Sequence, residues 1–245
     1  MKKNLYILLV IFGTSSAQSA YDVIKKADDH LRGASNKAEM TIEIQRPKWS
    51  RTMEIKAWSL GSDYSFILIQ APSRDKGSVF LKRDKEIWNW QPKIEKVIKL
   101  PASMMMQSWM GSDLTNDDLV KESSILNDYT HQIVGDTIIQ DRACYAIELT
   151  PKTEAAVVWG LIKTFIGKKD YLQLGSEFYD EDGYLITKME ASDIKYFGTK
   201  LLPATMVMTP IEEEGKKTTV HYKSIEFNID IQESFFSKQN MKRLN

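Results

Sequence analysis

Residues able to do covalent or metal chemistry are few in this chain, and none stands in a pattern that such chemistry needs. The three histidines, His30, His131 and His221, occur singly, and Cys144 is the lone cysteine. Transition-metal sites draw on clusters of such ligands, so neither a metal nor another cofactor is expected. The GxSxG, GxxxxGK[ST] and GxGxxG signatures of serine hydrolases, P-loops and dinucleotide folds are missing. Carboxylates cluster at Asp117-Asp118, Asp180-Glu181-Asp182 and Glu212-Glu213-Glu214. Each cluster also reads as a helix N-terminus or a hairpin turn, so no catalytic residue is assigned.

The chemistry the sequence does offer is apolar recognition. Ile87–Leu119 (IWNWQPKIEKVIKLPASMMMQSWMGSDLTNDDL) holds three of the six tryptophans and four of the eleven methionines. Rigid aromatic faces beside soft thioethers suit a surface that holds a variable apolar ligand. Pro101 and Gly111 bracket a short helix or loop containing Met104, Met105 and Met106. Trp109 and Met110 lie about one turn beyond Met105 and Met106 and would extend an apolar stripe. Three methionines in a row cannot all face one core. The segment reads either as a plug in a sheet or as a mobile lid over a greasy cleft, and the surplus of apolar surface favours the lid.

The elements that must position these residues are mostly strands. Tyr21–Arg32 has the spacing of an amphipathic helix, stopped by Gly33. Period-two segments follow at Glu39–Gln45, Arg51–Ser59, Tyr64–Ile69, Ser78–Lys82, Glu86–Trp90 and Ile94–Leu100. After the Met/Trp stretch, Thr115 and Asp118 have the spacing of a capping box. Further strands are expected at Tyr129–Gly135, Arg142–Thr150, Val157–Ile166, Leu172–Tyr179, Leu185–Phe197, Leu202–Thr209 and Lys217–Asn228. Asp182-Gly183 and Glu214-Gly215 mark hairpin turns. Roughly a dozen strands joined by short turns make one large curved antiparallel sheet or an open barrel. Phe66–Ile69 and Val157–Ile166 are apolar on both sides, so one face could line a cavity; a two-layer sandwich without a cavity is the other arrangement.

Residues 1–17 read as a signal peptide: Lys2 and Lys3, then the apolar run Leu5–Phe12, then Ser15-Ser16-Ala17 as the cleavage site near Ala17. The mature protein is therefore expected outside the cytoplasm, with 18–245 as one domain; the family resemblance given below narrows this to the periplasm. The 33 basic and 33 acidic side chains balance. Loss of Lys2 and Lys3 with the leader leaves a slight acidic excess, so nucleic acid is not an expected partner. Cys144, within the alternating run ACYAIEL, reads as a packing residue.

Several blocks resemble the outer-membrane lipoprotein-sorting proteins of the LolA-like superfamily, in a less characterised branch. They are PSRDKGSVFLKRDKEIWNWQPKIEKVIKLP at Pro72–Pro101, MGSDLTNDDL at Met110–Leu119, FYDEDG at Phe178–Gly183 and the ending NIDIQESFFSKQNMKRL. The resemblance implies an incomplete antiparallel β-barrel whose concave face is closed by helices over an apolar cavity. It implies a non-catalytic carrier that takes acyl chains of lipoproteins or other lipids from an inner-membrane transporter, some of RND type, towards an outer-membrane acceptor. On this reading the lipid-binding residues are Phe66, Leu68, Trp88 and Trp90 on the sheet and Met104, Met105, Met106, Trp109 and Met110 in the lid. The chain is expected to be a monomer. Two other readings stay open, an adaptor subunit of an RND-type exporter and a hydrolase of lipid or glycan.

Overall fold

In the computed structural model, which describes residues 18–84, 86–120, 124–155 and 157–244, the period-two segments become thirteen strands of one sheet. The leader lies outside the described residues. The first six strands are β1 (Ser35–Arg46), β2 (Trp49–Leu60), β3 (Tyr64–Ala71), β4 (Val79–Arg83), β5 (Glu86–Gln91) and β6 (Lys96–Lys99). The rest are β7 (Tyr129–Ile139), β8 (Arg142–Pro151), β9 (Leu161–Gly167), β10 (Gln173–Tyr179), β11 (Leu185–Phe197), β12 (Lys200–Pro210) and β13 (Lys217–Phe227). Their spatial order is β6-β5-β4-β3-β2-β1-β13-β12-β11-β10-β9-β8-β7, antiparallel throughout. Two meanders thus meet at the β1–β13 pair, and the architecture is the open, mainly β sheet expected.

This topology places β6 and β7, successive in sequence, at opposite edges of the sheet. The segment joining them, described over 100–120 and 124–128, must travel from one edge to the other. It does so across one face of the sheet, where Trp109 and Leu114 pack into a core with Ile42, Ile55, Ile67, Ile69 and Phe80. The lid is therefore a consequence of strand order.

Helix α1 (Ala20–Arg32) starts at Ser19, whose hydroxyl accepts the Asp22 N–H at 3.1 Å, and ends at Gly33 with φ 66°. Its apolar stripe, Ala20, Val23 and Ile24, packs against Tyr129, Ile147, Leu149, Ile162 and Ile166 of β7–β9. So α1 covers the C-terminal meander and the joining segment covers the N-terminal one. The capping box forms as expected: Thr115 N–H donates to the Asp118 carboxylate at 2.7 Å, and Asp118 N–H to the Thr115 hydroxyl at 3.0 Å. It opens α2 (Asn116–Val120), which is followed by α3 (Ser124–Asn127). In the β10–β11 turn, the Asp180 carboxylate accepts the N–H groups of Asp182 (3.0 Å) and Tyr184 (2.8 Å).

Three expectations differ. The strand expected over Val157–Ile166 begins only at Leu161, because Gly160 presses on the next turn: a Cβ there would lie 2.3 Å from the Asp180 carbonyl oxygen. The strand expected over Ile94–Leu100 shortens to Lys96–Lys99, since Pro92–Ile94 form a 3-10 turn and Glu95 is left-handed at φ 51°. The Met/Trp stretch does not form one apolar stripe. It makes 3-10 turns at Ala102–Met104 and Trp109–Gly111, with Met110 at φ 51°. Backbone bonds across the loop enforce this: Trp109 N–H to Leu114 O (2.7 Å), Asn116 N–H to Gln107 O (2.9 Å) and Asp117 N–H to Met105 O (3.1 Å). A continuous helix would break all three.

Candidate functional site, an apolar cavity under the joining segment

Between the concave face of the sheet, α1 and the joining segment lies a cavity of about 300 Å3. Its floor comes from alternate residues of the central strands: Ala38, Met40 and Ile42 of β1, Ile55 and Ala57 of β2, Ile67 of β3, and Val220 and Tyr222 of β13. Met206 and Met208 of β12, Met189 of β11 and Phe178 of β10 continue it. Trp109, Leu114, Ile125 and Trp159 form its roof, with Leu31 of α1 at the side. A lobe of about 90 Å3 runs under α1, sharing Leu31, Ile125, Met189 and Met206 with the main cavity. Two alanines in the floor, Ala38 and Ala57, face each other in register, and this absence of bulk helps leave the space open.

Two arginines of the β1–β2 hairpin hold the roof. Arg46 pairs with Asp113 at 3.0 Å, both side chains nearly buried, and donates to the Gly111 carbonyl at 2.7 Å. Arg51 donates to the Met110 carbonyl. Asp113 also accepts from the Thr218 hydroxyl at 2.7 Å, tying the loop to β13. Removing one partner of such a pair strands a poorly solvated charge, so these contacts fix the loop firmly while both are present.

Several titratable groups near the cavity are committed to structure. Burial pushes the Asp118 carboxyl up, against the hydrogen bonds it accepts from Thr115 and from the Trp159 indole at 3.4 Å. Burial, with the charges of Asp117 and Asp118, pushes the Tyr129 phenol well up. His30 contacts the Leu201 carbonyl (2.9 Å), His131 the Ile125 carbonyl (2.8 Å) and His221 the Thr205 hydroxyl (2.9 Å). Each histidine is thus engaged separately, far from a nucleophile–base arrangement. Among the described residues no cluster of three metal-ligating side chains occurs.

The residues singled out from sequence separate into two groups. Trp109 lies in the cavity roof, 1% exposed, its ring 5.6 Å from Phe80. Met110 packs, half-buried, against the same core. Phe66 reaches the cavity, but its ring is stacked on Phe236 at 5.5 Å in a cluster on the other side of the sheet. Leu68, Trp88 and Trp90 belong to that outer cluster, with Val79, Leu81 and Met241, and are not among the cavity-lining residues. Met105 packs with Ile87 and Leu100, Met104 is half-buried, and Met106 is 65% exposed. The lining methionines Met40, Met189, Met206 and Met208 were not singled out. Their signal, a methionine at an inward position of an alternating strand, is present in the sequence but resembles ordinary core.

Residues 61–243 match the sequence model of a family described as "Uncharacterized protein". No curated protein matches the chain. Among solved structures, a DUF1329 family protein from Desulfovibrio piger superposes with a TM-score of 0.83 at 21% identity, over 91% of this chain and 97% of that one. A domain from Vibrio parahaemolyticus, described as an outer membrane lipoprotein-sorting protein domain, gives 0.81 at 20%, over 91% and 98%. A LolA superfamily protein from Nitrosomonas europaea gives 0.78 at 20%, over 91% and 99%. At these identities the likeness establishes the fold, which is LolA-like.

Proposed function

We propose, from the premise that this chain belongs to the family matched over residues 61–243 and has a LolA-like fold, that it is an exported, non-catalytic lipid carrier. It binds acyl chains of lipoproteins or other lipids in its cavity and moves them through the periplasm between inner and outer membrane. An inner-membrane transporter, of RND type in one version, supplies the cargo, and an outer-membrane acceptor receives it. The leader 1–17 exports the chain, and 18–245 act as a single domain and a monomer.

The observation that carries this reading is the 300 Å3 cavity, whose floor is mostly methionine, isoleucine and alanine, with Val220, Tyr222 and Phe178. Each methylene taken from water is worth about 0.8 kcal/mol, so a chain of several methylenes there gains enough to hold cargo yet release it. Four methionines in the floor suit acyl chains of differing length, because the thioether repacks at low cost. Of the residues foreseen, Trp109 and Phe66 line the cavity and would touch cargo there, with Met110 packed against the core beside Trp109. Leu68, Trp88, Trp90, Met104, Met105 and Met106 act through cargo contact only if the lid or the outer cover moves.

The test is native mass spectrometry with lipid extraction on protein purified from its own periplasm. A bound amphiphile near one per chain is expected. A protein that is empty, and stays empty after incubation with its own membrane lipids, overturns the carrier reading in favour of a protein-binding adaptor.

A further inference from the structure

The floor of the lobe under α1 is not uniformly apolar. Thr164 of β9 and Ser176 of β10 face each other in register, 3% and 2% exposed, where neighbouring positions of the floor carry Ile162, Ile166 and Phe178. Gln173 joins them through a bulge in β10: Gln173 pairs with Ile166 and Gly175 with Phe165, so Leu174 is an extra residue. In a regular strand, side chains three positions apart point to opposite faces. The bulge cancels that, and Gln173 and Ser176 both line the lobe. Hydrogen bonds connect the three side chains. Gln173 Nε2 donates to the Ser176 hydroxyl at 2.9 Å, and Ser176 donates to the Gly175 carbonyl at 2.8 Å or to the Thr164 hydroxyl at 3.0 Å. Thr164 donates to the Gly175 carbonyl at 3.3 Å.

Capacity is left over at the open end of this network. Gln173, half-buried, lines both the lobe and the main cavity. Its amide carbonyl oxygen and second N–H have no partner among the described residues, so it offers an acceptor and a donor to whatever fills the space. None of the three side chains carries charge. The lobe wall also holds the Asp28 carboxylate, and Arg32 is engaged by that carboxylate at 2.6 Å. An anionic head would therefore give up its hydration for neutral partners, at a cost an uncharged head avoids. We infer that Gln173, Ser176 and Thr164 form a polar subsite for an uncharged head bearing hydroxyl or ester oxygen, as in a glycerol ester of a fatty acid. The acyl chain then lies along the methionines next in register to Ser176, Met189 of β11 and Met208 of β12, in the main cavity under Trp109. This assignment rests on the carrier reading and adds the class of cargo: a neutral amphiphile whose polar head is drawn inside.

Isothermal titration of the purified chain with monolauroylglycerol and with laurate, at a pH where laurate is ionised, tests this directly. The two ligands share an acyl chain and differ in the head. Wild type is expected to bind the glycerol ester about tenfold more tightly, the size of one hydrogen bond made where the alternative is an unpaired buried group. Gln173→Met keeps the length of the side chain and removes its donor and acceptor. It should weaken glycerol-ester binding about tenfold and leave laurate unchanged. Ser176→Ala, which frees the amide of Gln173 without deleting it, should cost the same ligand a smaller factor. A wild type that does not prefer the glycerol ester, or a preference that survives both variants, overturns the subsite while leaving the carrier reading intact. So does an equal loss of both ligands in Gln173→Met. Binding of neither ligand by wild type overturns the carrier reading itself.

Discussion

The β2–β5 part of the sheet carries apolar side chains on both faces, and the two faces are completed in different ways. On the outer face, Phe66, Leu68, Trp88 and Trp90 are covered by the C-terminal segment, whose Phe236 and Met241 are fully buried among them. Phe235 meets Phe66 edge-on at 5.4 Å, and Lys238 and Lys242 lie over the Trp88 and Trp90 rings at 4.3 and 5.5 Å. On the concave face, the cover is a loop pinned by Arg46 and Arg51, and beneath it lie methionines and two alanines around open space. Both faces use aromatic and aliphatic residues. Which face keeps open space is decided by how far the side chains of its cover fill the volume.

The sharpest way to break this comparison is to hollow the filled face. Phe236→Ala removes a ring that is 0% exposed and stacked on Phe66. It should cost about 3–5 kcal/mol of unfolding free energy in a denaturant titration. A loss below about 1 kcal/mol would mean that the outer cover is not a sealed core. The complementary change fills the hollow face. Ala57→Phe projects a ring into the cavity from the middle of its floor. Acyl-chain affinity should fall about tenfold as methylenes lose their places, while the melting temperature shifts by no more than about 4 °C. A large fall in melting temperature with affinity retained would show that the space is packing, not a binding site.

A smaller effect sharpens the role of the roof. Burial raises the folded-state pKa of Asp118, so the folded chain holds its proton more tightly than the unfolded chain. Its contribution to stability is present below the ordinary aspartate pKa and is lost as pH rises through the raised folded value. Asp118→Asn should therefore remove a downward slope of stability with pH across that window. Parallel slopes for the two proteins would show that the carboxyl titrates alike in the folded and unfolded states.

Much of the local structure was legible because short-range rules decide it. Gly33 ends α1, Thr115 and Asp118 close their capping box, and Asp182-Gly183 turns the chain between β10 and β11. The site was legible only in part. Parity alone puts Trp88 and Trp90 on one face of β5 but does not say which face meets the joining segment. Their partners Phe236 and Met241 lie some 150 residues further along the chain, beyond the reach of any periodic pattern. The methionine run drew attention by composition, yet its backbone is governed by bonds to Leu114, Asn116 and Asp117.

By itself, then, the amino-acid sequence determined that the chain builds a large antiparallel sheet with one helix before it and a greasy segment in the middle. Alternation, caps and turn residues act over a few positions and need no tertiary partner. Only the tertiary structure decided which apolar face is sealed and which stays hollow. It also decided that Thr164, Gln173 and Ser176 share one patch of the floor and that the loop after β6 lies across the concave face. Those outcomes follow from strand register and strand order, in which residues far apart in sequence compete for the same volume.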